Sequence, residues 1–336
     1  MNKKLLALAI GAAVAMPVVA EAAGPTLYGK INVTLDSVET DTGVPATSTD
    51  VWSLNSNASR LGVKGDAETG VTGLTGLYYA EYEIDADDGA TPFKQRNIYA
   101  GLKGAFGTLK LGKMDTPLKE AQGKVDQFND LAADIKNVMP GETRADNMIQ
   151  YSSPKLADMF TVNLAVMPAE NTNVDGEAGN EDGIADSISA SVVLESGAFY
   201  AALAMDQSMT SASAVDTFTS GRADITRLVG AYKTDAFEVG AIFQTAEEVG
   251  TGAASEDEAM FLSGAFVSGD WKFKAQYGVG EGDVNDREKT MMAVGADYKL
   301  GKSTTVFGYY STVETDNAAP PDTEITTLAL GLEQKF

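Results

Sequence analysis

The stretch Thr326-Thr-Leu-Ala-Leu-Gly-Leu-Glu-Gln-Lys-Phe336 alternates between two kinds of side chain up to its last residue. Leu328, Leu330, Leu332 and Phe336 share one parity, and small or polar residues occupy most of the other. This two-residue period indicates a β-strand with one apolar face and one polar face. Chain ends usually fray, so a terminal strand that closes on an aromatic residue favours a sheet without a free edge. We therefore predict a closed β-barrel in which this strand pairs with the first.

The same alternation recurs along the rest of the chain. It is clearest in residues 27–36, 78–85, 160–166, 271–279 and 291–300. Many of the alternating runs reach roughly nine to eleven residues, the span of a tilted membrane strand. Strands of soluble domains average about five to six residues. The alternative fold is a large soluble β-sandwich or solenoid, and the length of the runs favours a transmembrane barrel over it.

The runs predict sixteen antiparallel strands. We place them at residues 26–36, 51–65, 72–85, 94–103, 107–114, 144–153, 159–167, 185–195, 198–206, 223–233, 236–246, 258–268, 271–281, 289–299, 304–313 and 323–336. An even number is typical of a single-chain bacterial barrel with both termini on the periplasmic side. Tight turns, such as 196–197 and 301–303, alternate with longer acidic loops, such as 168–184 and 247–257. We expect the turns to face the periplasm and the loops to face the outside.

The N-terminus has the pattern of a secretory signal peptide. Lys3 and Lys4 precede an apolar run from Leu5 to Ala20, and Ala20-Glu21-Ala22 has the small-x-small pattern of a cleavage site. We expect residues 1–22 to be removed and residues 23–336 to form one barrel domain. A short membrane anchor is the alternative, although the run is shorter than the ~20 apolar residues of a transmembrane helix.

Composition narrows the possible functions. The chain has 25 basic and 48 acidic residues, a net charge of −23, which argues against binding of nucleic acid. It contains neither Cys nor His, so a thiol nucleophile and the commonest general base and metal ligand are absent. We predict neither an enzyme nor a bound cofactor or metal. Ca²⁺ binding stays open at one group of carboxylates, although a solvated acidic loop is the preferred interpretation: Asp175, Glu177, Glu181, Asp182 and Asp186.

One connector is much longer than the others. It runs for 29 residues from Asp115 to Thr143, and structureless loops of that length are usually functional or disordered. Its apolar residues predict that it packs against other parts of the protein: Leu118, Val125, Phe128, Leu131, Ile135, Val138 and Met139. Residues 118–136 have room for a short helix. In a hollow barrel we expect this connector to fold into the lumen, and an external hairpin or lid is the alternative.

Basic residues concentrate in the first half of the chain, on the polar parity of the predicted strands. The predicted basic cluster consists of Lys30, Arg60, Lys94, Arg96 and Arg144. The candidate carboxylates on the long connector are Asp115, Glu120, Asp126, Asp130 and Asp134. Opposed rows of fixed charge across a narrow opening create a transverse field and limit the size of solutes that pass. The alternative is that each of these residues is only a solvated charge inside the barrel.

Five segments together resemble the sixteen-stranded trimeric general porins of Gram-negative outer membranes, especially the branch of neisserial and related proteobacterial porins. They are TLYGKI (26–31), SRLGVKG (59–65), KQRNIYAGLKGAFGTLKLGKMDTP (94–117), RADNMIQYSSP (144–154) and LALGLEQKF (328–336). The resemblance covers nearly the whole chain after residue 22. It implies a homotrimer, a third loop that folds inward and passive diffusion of small hydrophilic solutes. It also implies that the five predicted basic residues form the wall of the constriction.

The resemblance further implies partners and an assembly signal. We expect contact with outer-membrane lipid and lipopolysaccharide, and we expect Phe336 to be the C-terminal insertion signal that the barrel-assembly machinery reads. The chain lacks the PEFGG-type loop tip of the enteric porins. All five carboxylates of the long connector therefore stay candidates for the side that faces the pore. Two other functions stay open: a substrate-specific channel and a structural or adhesive barrel.

Overall fold

The computed structural model describes residues 24–88, 93–168, 183–211, 214–215, 218, 220–250, 255–283, 286–317 and 321–336. The strands of the first half are β1 (Thr26–Asp41), β2 (Thr49–Ser56), β3 (Arg60–Glu68), β4 (Thr75–Glu83), β5 (Lys94–Gly104), β6 (Gly107–Asp115), β7 (Arg144–Ser152), β8 (Phe160–Met167) and β9 (Ser187–Ser196). The second half contains β10 (Phe199–Thr210), β11 (Arg222–Lys233), β12 (Phe237–Glu248), β13 (Glu256–Ser268), β14 (Trp271–Gly282), β15 (Arg287–Lys299), β16 (Thr304–Asp316) and β17 (Thr323–Lys335).

The strands form one antiparallel sheet that closes on itself. From β3 onward each strand pairs with the next in the chain, and β1 pairs with β17 from Lys30↔Lys335 to Asp41↔Glu324. The closure continues through Phe336, whose backbone N–H donates to Gly29 O at 3.1 Å while Gly29 N–H donates to Phe336 O at 3.0 Å. The last strand therefore removes the free edges of the sheet, as its sequence predicts.

The predicted strand 51–65 is divided in two. Both β2 and β3 pair with β1, so together they occupy one position in the wall, and the barrel has sixteen strands as predicted. The break lies at Ala58, whose φ is +48°, and at buried Ser59. The Ser59 hydroxyl accepts from Asn32 N–H at 2.9 Å and donates to Asn32 O at 3.2 Å, so it replaces the interrupted backbone ladder.

Burial along the strands is the reverse of burial in a soluble protein. Leu328 and Leu330 of β17 are exposed, whereas Thr327 and Ala329 between them are buried. The same pattern reaches an extreme in β11, where Leu228 is 56% exposed and the adjacent Arg227 is 0% exposed. An apolar outer face with a polar or small inner face is the pattern of a barrel whose outer solvent is lipid. No helix in the part of the chain that the structure describes is long and apolar enough to cross a membrane.

The expected leader, residues 1–22, and most of the acidic loop around Asp175 lie outside the described residues. The long connector, here called the long segment (residues 116–143), contains only two short helical turns. They are α1 (Pro117–Glu120) and a 3-10 turn over Ile135–Asn137. The Thr116 hydroxyl caps α1 by accepting from Lys119 N–H at 3.2 Å. The helical region expected within 118–136 is thus limited to one turn of α-helix, which Gly123 follows with a φ of +63°.

Candidate functional site

The apolar residues of the long segment are buried, as their sequence predicts. All seven belong to the buried set: Leu118, Val125, Phe128, Leu131, Ile135, Val138 and Met139. They pack in one cluster with buried residues of β10 to β17, including Ile225, Ile242, Phe261 and Met291. Burial of each large apolar side chain contributes roughly 1.5–3 kcal/mol, so hydrophobic contact holds this segment against the sheet.

Glycines on three strands make room for the segment. A Cβ added at Gly240 would lie 2.8 Å from Val125, one at Gly278 would lie 2.7 Å from Val138, and one at Gly295 would lie 3.0 Å from the Phe128 ring. Any larger residue at these positions would push the segment away from the sheet. The Phe128 ring also lies 4.5 Å from the Lys274 ammonium group, a cation–π contact.

Hydrogen bonds tie the backbone of the segment to the same strands. The Ser263 hydroxyl donates to Val125 O, and the Gln276 amide donates to Ala133 O. Fully buried Arg227 donates to Glu142 Oε1 at 2.9 Å and to Pro140 O at 3.0 Å. These bonds satisfy polar groups of an irregular backbone that is shielded from water, and leaving one unpaired costs about 1–3 kcal/mol.

Asp130 joins the segment to β1 and β3, which follow β17 around the closed sheet. Its carboxylate lies 2.7 Å from the Arg60 guanidinium and 3.4 Å from the Lys30 ammonium. Burial raises the pKa of Asp130, but the cations Arg60, Lys30 and Arg96 outweigh burial and hold that pKa below its usual value. The residue has a φ of +68°, a left-handed conformation that Asp tolerates better than most residues. Asp130 therefore links β1 and β3 to the long segment.

Arg96 is held by two carboxylates of the neighbouring strand. Its guanidinium donates to Glu81 Oε1 and to Glu83 Oε2, both at 2.8 Å. The register between β4 and β5 shifts between Ala80 and Tyr82, which leaves one extra residue on β5 beside Glu81. Such a bulge re-aims side chains. Arg96 and the half-buried Tyr99 are three positions apart, an odd spacing, and yet both contact inner-face partners.

A second bulge lies on β7, where the register with β6 shifts and Asn147 has a φ of +54°. Arg144, at the start of β7, lies 3.0 Å from Asp115 and donates to the Asn97 side chain at 2.8 Å. Lys119 of α1 approaches the same Asp115 carboxylate at 3.3 Å. Lys94 is mostly exposed and lies 3.8 Å from Glu83.

The remaining predicted carboxylates have different environments. Asp126 accepts from the backbone of Phe128 and Ile135, and Asp134 accepts from the backbone of Asp130 and Lys136, so both brace the long segment itself. Burial, with the neighbouring Asp134 adding to it, raises the pKa of Asp126. Burial also raises the pKa of Glu120, whose carboxylate accepts from the Gln150 amide at 3.4 Å.

The predicted residues surround a common cavity of about 1370 Å³. All five predicted carboxylates line it, together with four of the five predicted basic residues; Lys30 lies outside the lining. Three carboxylates that pair with the basic residues were not predicted to belong to the site: Glu81, Glu83 and Glu333. The same signal was present for all three, because each lies on the polar parity of its predicted strand.

Comparisons with known proteins agree with this architecture. The chain is 25% identical over 339 residues to outer membrane porin protein 32 of Delftia acidovorans. This alignment covers 95% of this chain and 91% of that protein. It is 29% identical over 186 residues to the major outer membrane protein P.IB of Neisseria gonorrhoeae, and the alignment spans about half of each chain, 53% and 51%.

Solved structures show the same fold. An anion-selective porin from Comamonas acidovorans superposes with a TM-score of 0.73 at 19% identity, covering 94% of this chain and all of that one. The trimer form of OmpT from Vibrio cholerae gives a TM-score of 0.67 at 16% identity, with coverage of 93% and 99%. The sequence profile described as Gram-negative porin matches residues 7–318. The chain, a sixteen-stranded barrel of the outer membrane, therefore belongs to the Gram-negative porin family.

Proposed function

We propose that this protein is a general diffusion porin that passes small hydrophilic solutes and ions through a charged constriction. The observation that carries the proposal is the course of the long segment, which leaves the wall at the end of β6, packs on β10 to β17 and reaches β1 and β3 through Asp130. A segment that starts beside β6 and contacts strands as far around the closed sheet as β15 and β16 crosses the lumen. The narrowed passage beside it is the cavity between the predicted basic and acidic residues.

Excision of Lys119 to Ala133 tests this proposal. Loss of the segment should widen the channel, so single-channel conductance and the rate of sugar-induced liposome swelling should both rise. The matched control is a deletion of similar length that removes the acidic loop 169–182 instead. Unchanged conductance and swelling in the first variant would contradict a lumenal position for the long segment.

The arrangement of lumenal tyrosines favours general diffusion over a substrate-specific channel. Tyr79 and Tyr99 stack on each other with ring centroids 5.2 Å apart, and Lys110 lies 5.2 Å from the Tyr99 ring. Lys64 lies 5.0 Å from the Tyr28 ring, which itself packs beside Tyr79. Neighbouring side chains thus occupy the aromatic faces that a sugar would need for stacking.

We also propose that the protein acts as a homotrimer with lipid around its apolar outer face. Outer-membrane relatives include a protein solved in a trimer form, which supports the proposal. Chemical cross-linking of the purified protein in detergent should give a band at three times the monomer mass. Without cross-linker, a band of the same mass should disappear on boiling. A monomer under non-denaturing conditions would contradict it.

Lipopolysaccharide is the proposed partner at the outer ends of the strands. Outward-facing carboxylates stand directly opposite each other on neighbouring strands, as in Glu258↔Glu281, Glu281↔Glu288 and Glu314↔Glu324. Opposed like charges repel, so this belt requires counter-ions, which anionic lipopolysaccharide also requires. Removal of divalent cations with EDTA should lower the thermal stability of the protein reconstituted with lipopolysaccharide, but not of the protein in neutral detergent. Equal stability in all conditions would contradict this partner.

A further inference from the structure

We propose that Glu81 sets the ion selectivity of this channel by neutralising, from behind, the guanidinium groups that line it; the proposal rests on the diffusion function proposed above. Glu81 is 4% exposed and lies outside the lining of the cavity, whereas Arg60 and Arg96 line it. Its Oε1 accepts from Arg96 Nε at 2.8 Å and lies 3.7 Å from Arg60. One buried carboxylate therefore faces two arginines of the passage.

Both oxygens of Glu81 are held in place. Oε2 accepts from the Tyr28 hydroxyl at 2.9 Å and from the Tyr79 hydroxyl at 3.2 Å. A carboxylate that accepts several charged and neutral donors is fixed in its ionised form. The negative charge of Glu81 is consequently a permanent part of the wall and not a mobile side chain of the lumen.

The charges around this site nearly balance. The cations on this part of the wall are Lys30, Arg60, Lys94 and Arg96, and the carboxylates within 4 Å of them are Glu81, Glu83, Asp130 and Glu333. Glu333 is shared with the exposed Lys335, which lies 2.9 Å from it. Three of these carboxylates come from strands and one comes from the long segment. A passing ion meets paired charges whose fields largely cancel beyond a few ångströms, so the arginine cluster by itself does not make the passage attractive to anions.

Replacement of Glu81 by Gln tests the inference. Gln has the same shape and still accepts from Arg96 while its amide donates to a tyrosine oxygen. Arg96 keeps Glu83 and Arg60 keeps Asp130, so no cation is left unpaired. The surface of the passage is unchanged because Glu81 does not reach it. The variant therefore adds one positive charge to the wall and alters little else.

We expect the chloride-to-potassium permeability ratio of E81Q to rise roughly fivefold at low salt, since one charge about 8 Å from the ion shifts anion and cation energies in opposite directions. The readout is the reversal potential across a KCl gradient. E195Q is the matched control: unlike Glu81, Glu195 lines the cavity itself, but it is 54% exposed and pairs with Lys155. Solvent screens it, so E195Q should shift the ratio much less.

A ratio in E81Q equal to that of the wild type, or a shift no larger than that of E195Q, overturns the inference. If E81Q does not assemble, E83Q is tested by the same criterion. This substitution removes the negative charge on the other side of Arg96. Failure of the wild-type protein to conduct at all would instead refute the proposed diffusion function. The two failures are therefore distinguishable in one set of bilayer recordings.

Discussion

Single residues decide how the long segment is held against the strands around it. Among the described residues of the segment, Asp130 is the carboxylate that contacts the cations of β1 and β3. It lies between Lys30 and Arg60. Asp126 and Asp134 are also aspartates, each four positions from Asp130 in the sequence. Their carboxylates instead accept hydrogen bonds from the backbone of the segment. The role of each carboxylate thus follows from the turn it occupies, and not from its residue type.

Asp130→Asn should loosen the segment from the wall. Asn tolerates the left-handed backbone, so the substitution removes charge without straining the turn. We expect a loss of about 1–2 kcal/mol of local stability, discounted for partial exposure of the pair. Single-channel recordings should show greater current noise and a higher mean conductance. D158N, at a second left-handed aspartate outside the segment, is the control and should behave like the wild type.

Acid should reproduce the effect of Asp130→Asn. The cations hold the pKa of Asp130 below its ordinary value of 3.8, so its carboxylate stabilises the contact fully above that value. The stabilisation is lost as pH falls through the lowered pKa. We expect the contribution of Asp130 to the current noise to be constant above pH 4 and to change only in more acidic solution. A difference between wild type and D130N that disappears between pH 7 and pH 5 would contradict this assignment.

At the scale of elements, the inner faces of β12, β14 and β15 are shaped to receive the long segment. Gly240, Gly278 and Gly295 each stand where a Cβ would collide with the segment. Strand glycines often mark such a close approach of another chain segment. The segment and the strands beneath it therefore form one packed unit, although the strands alone close the barrel.

Gly278→Val should displace the long segment while the barrel persists. Its side chain would overlap Val138 and Phe261, and overpacking of this kind costs about 1–3 kcal/mol. Conductance should change and proteolysis within 116–143 should accelerate. Gly264→Val is the matched control, since a Cβ there meets nothing closer than 3.7 Å. Equal protease resistance of the two variants would show that the segment does not depend on this contact.

At the scale of the whole molecule, closure of the sheet depends on the pairing of β1 with β17. The Phe336 ring lies against Gly29, where an added Cβ would come within 2.5 Å of it. An unclosed edge leaves unpaired backbone groups that lipid cannot satisfy. The terminal strand therefore has both a structural role in the closed barrel and the proposed role of insertion signal.

Deletion of Phe336 should leave unfolded protein in the periplasm. It removes the last two backbone hydrogen bonds of the closing pair as well as the proposed recognition residue. Heat-modifiable mobility and membrane fractionation measure the outcome. Phe336→Tyr, which keeps the aromatic terminus and the backbone, is the control. Normal amounts of assembled protein from the deletion variant would contradict the role of Phe336.

Ion selectivity is also a property of the whole molecule, because charges on the wall of the channel and on its rim both contribute to it. We predict weak cation preference that grows as salt is lowered, since screening over about 8 Å at physiological salt relaxes on dilution. Replacement of Arg60, Arg96 and Arg144 by Gln should strengthen that preference. Several rim carboxylates, such as Glu258 and Glu281, stand on the outer face, which limits their effect on the mouth of the channel. Clear anion preference of the wild type at low salt would refute the prediction.

The alternation of side chains along the chain is enough to predict the barrel. Period-two alternation identifies every wall strand to within a few residues, because one face must meet lipid and the other must not. The apolar residues of the long connector also predict its burial, since seven such side chains need a partner surface. Four of the five basic residues predicted from the polar parity line the cavity, whereas Lys30 lies outside the lining.

The pairing of the charges, in contrast, depends on contacts that arise when the strands come together. The bulges beside Glu81 and at Asn147 shift the parity of Arg96 and Arg144, and an inserted residue leaves no trace in the alternation pattern. Glu81 lies on a different strand from Arg60, many residues away in the sequence. Glu333 meets Lys30 only because the last strand pairs with the first. Electrostatic pairing depends on distances of a few ångströms between strands, and a one-dimensional pattern fixes the face of a residue but not its neighbours across that face.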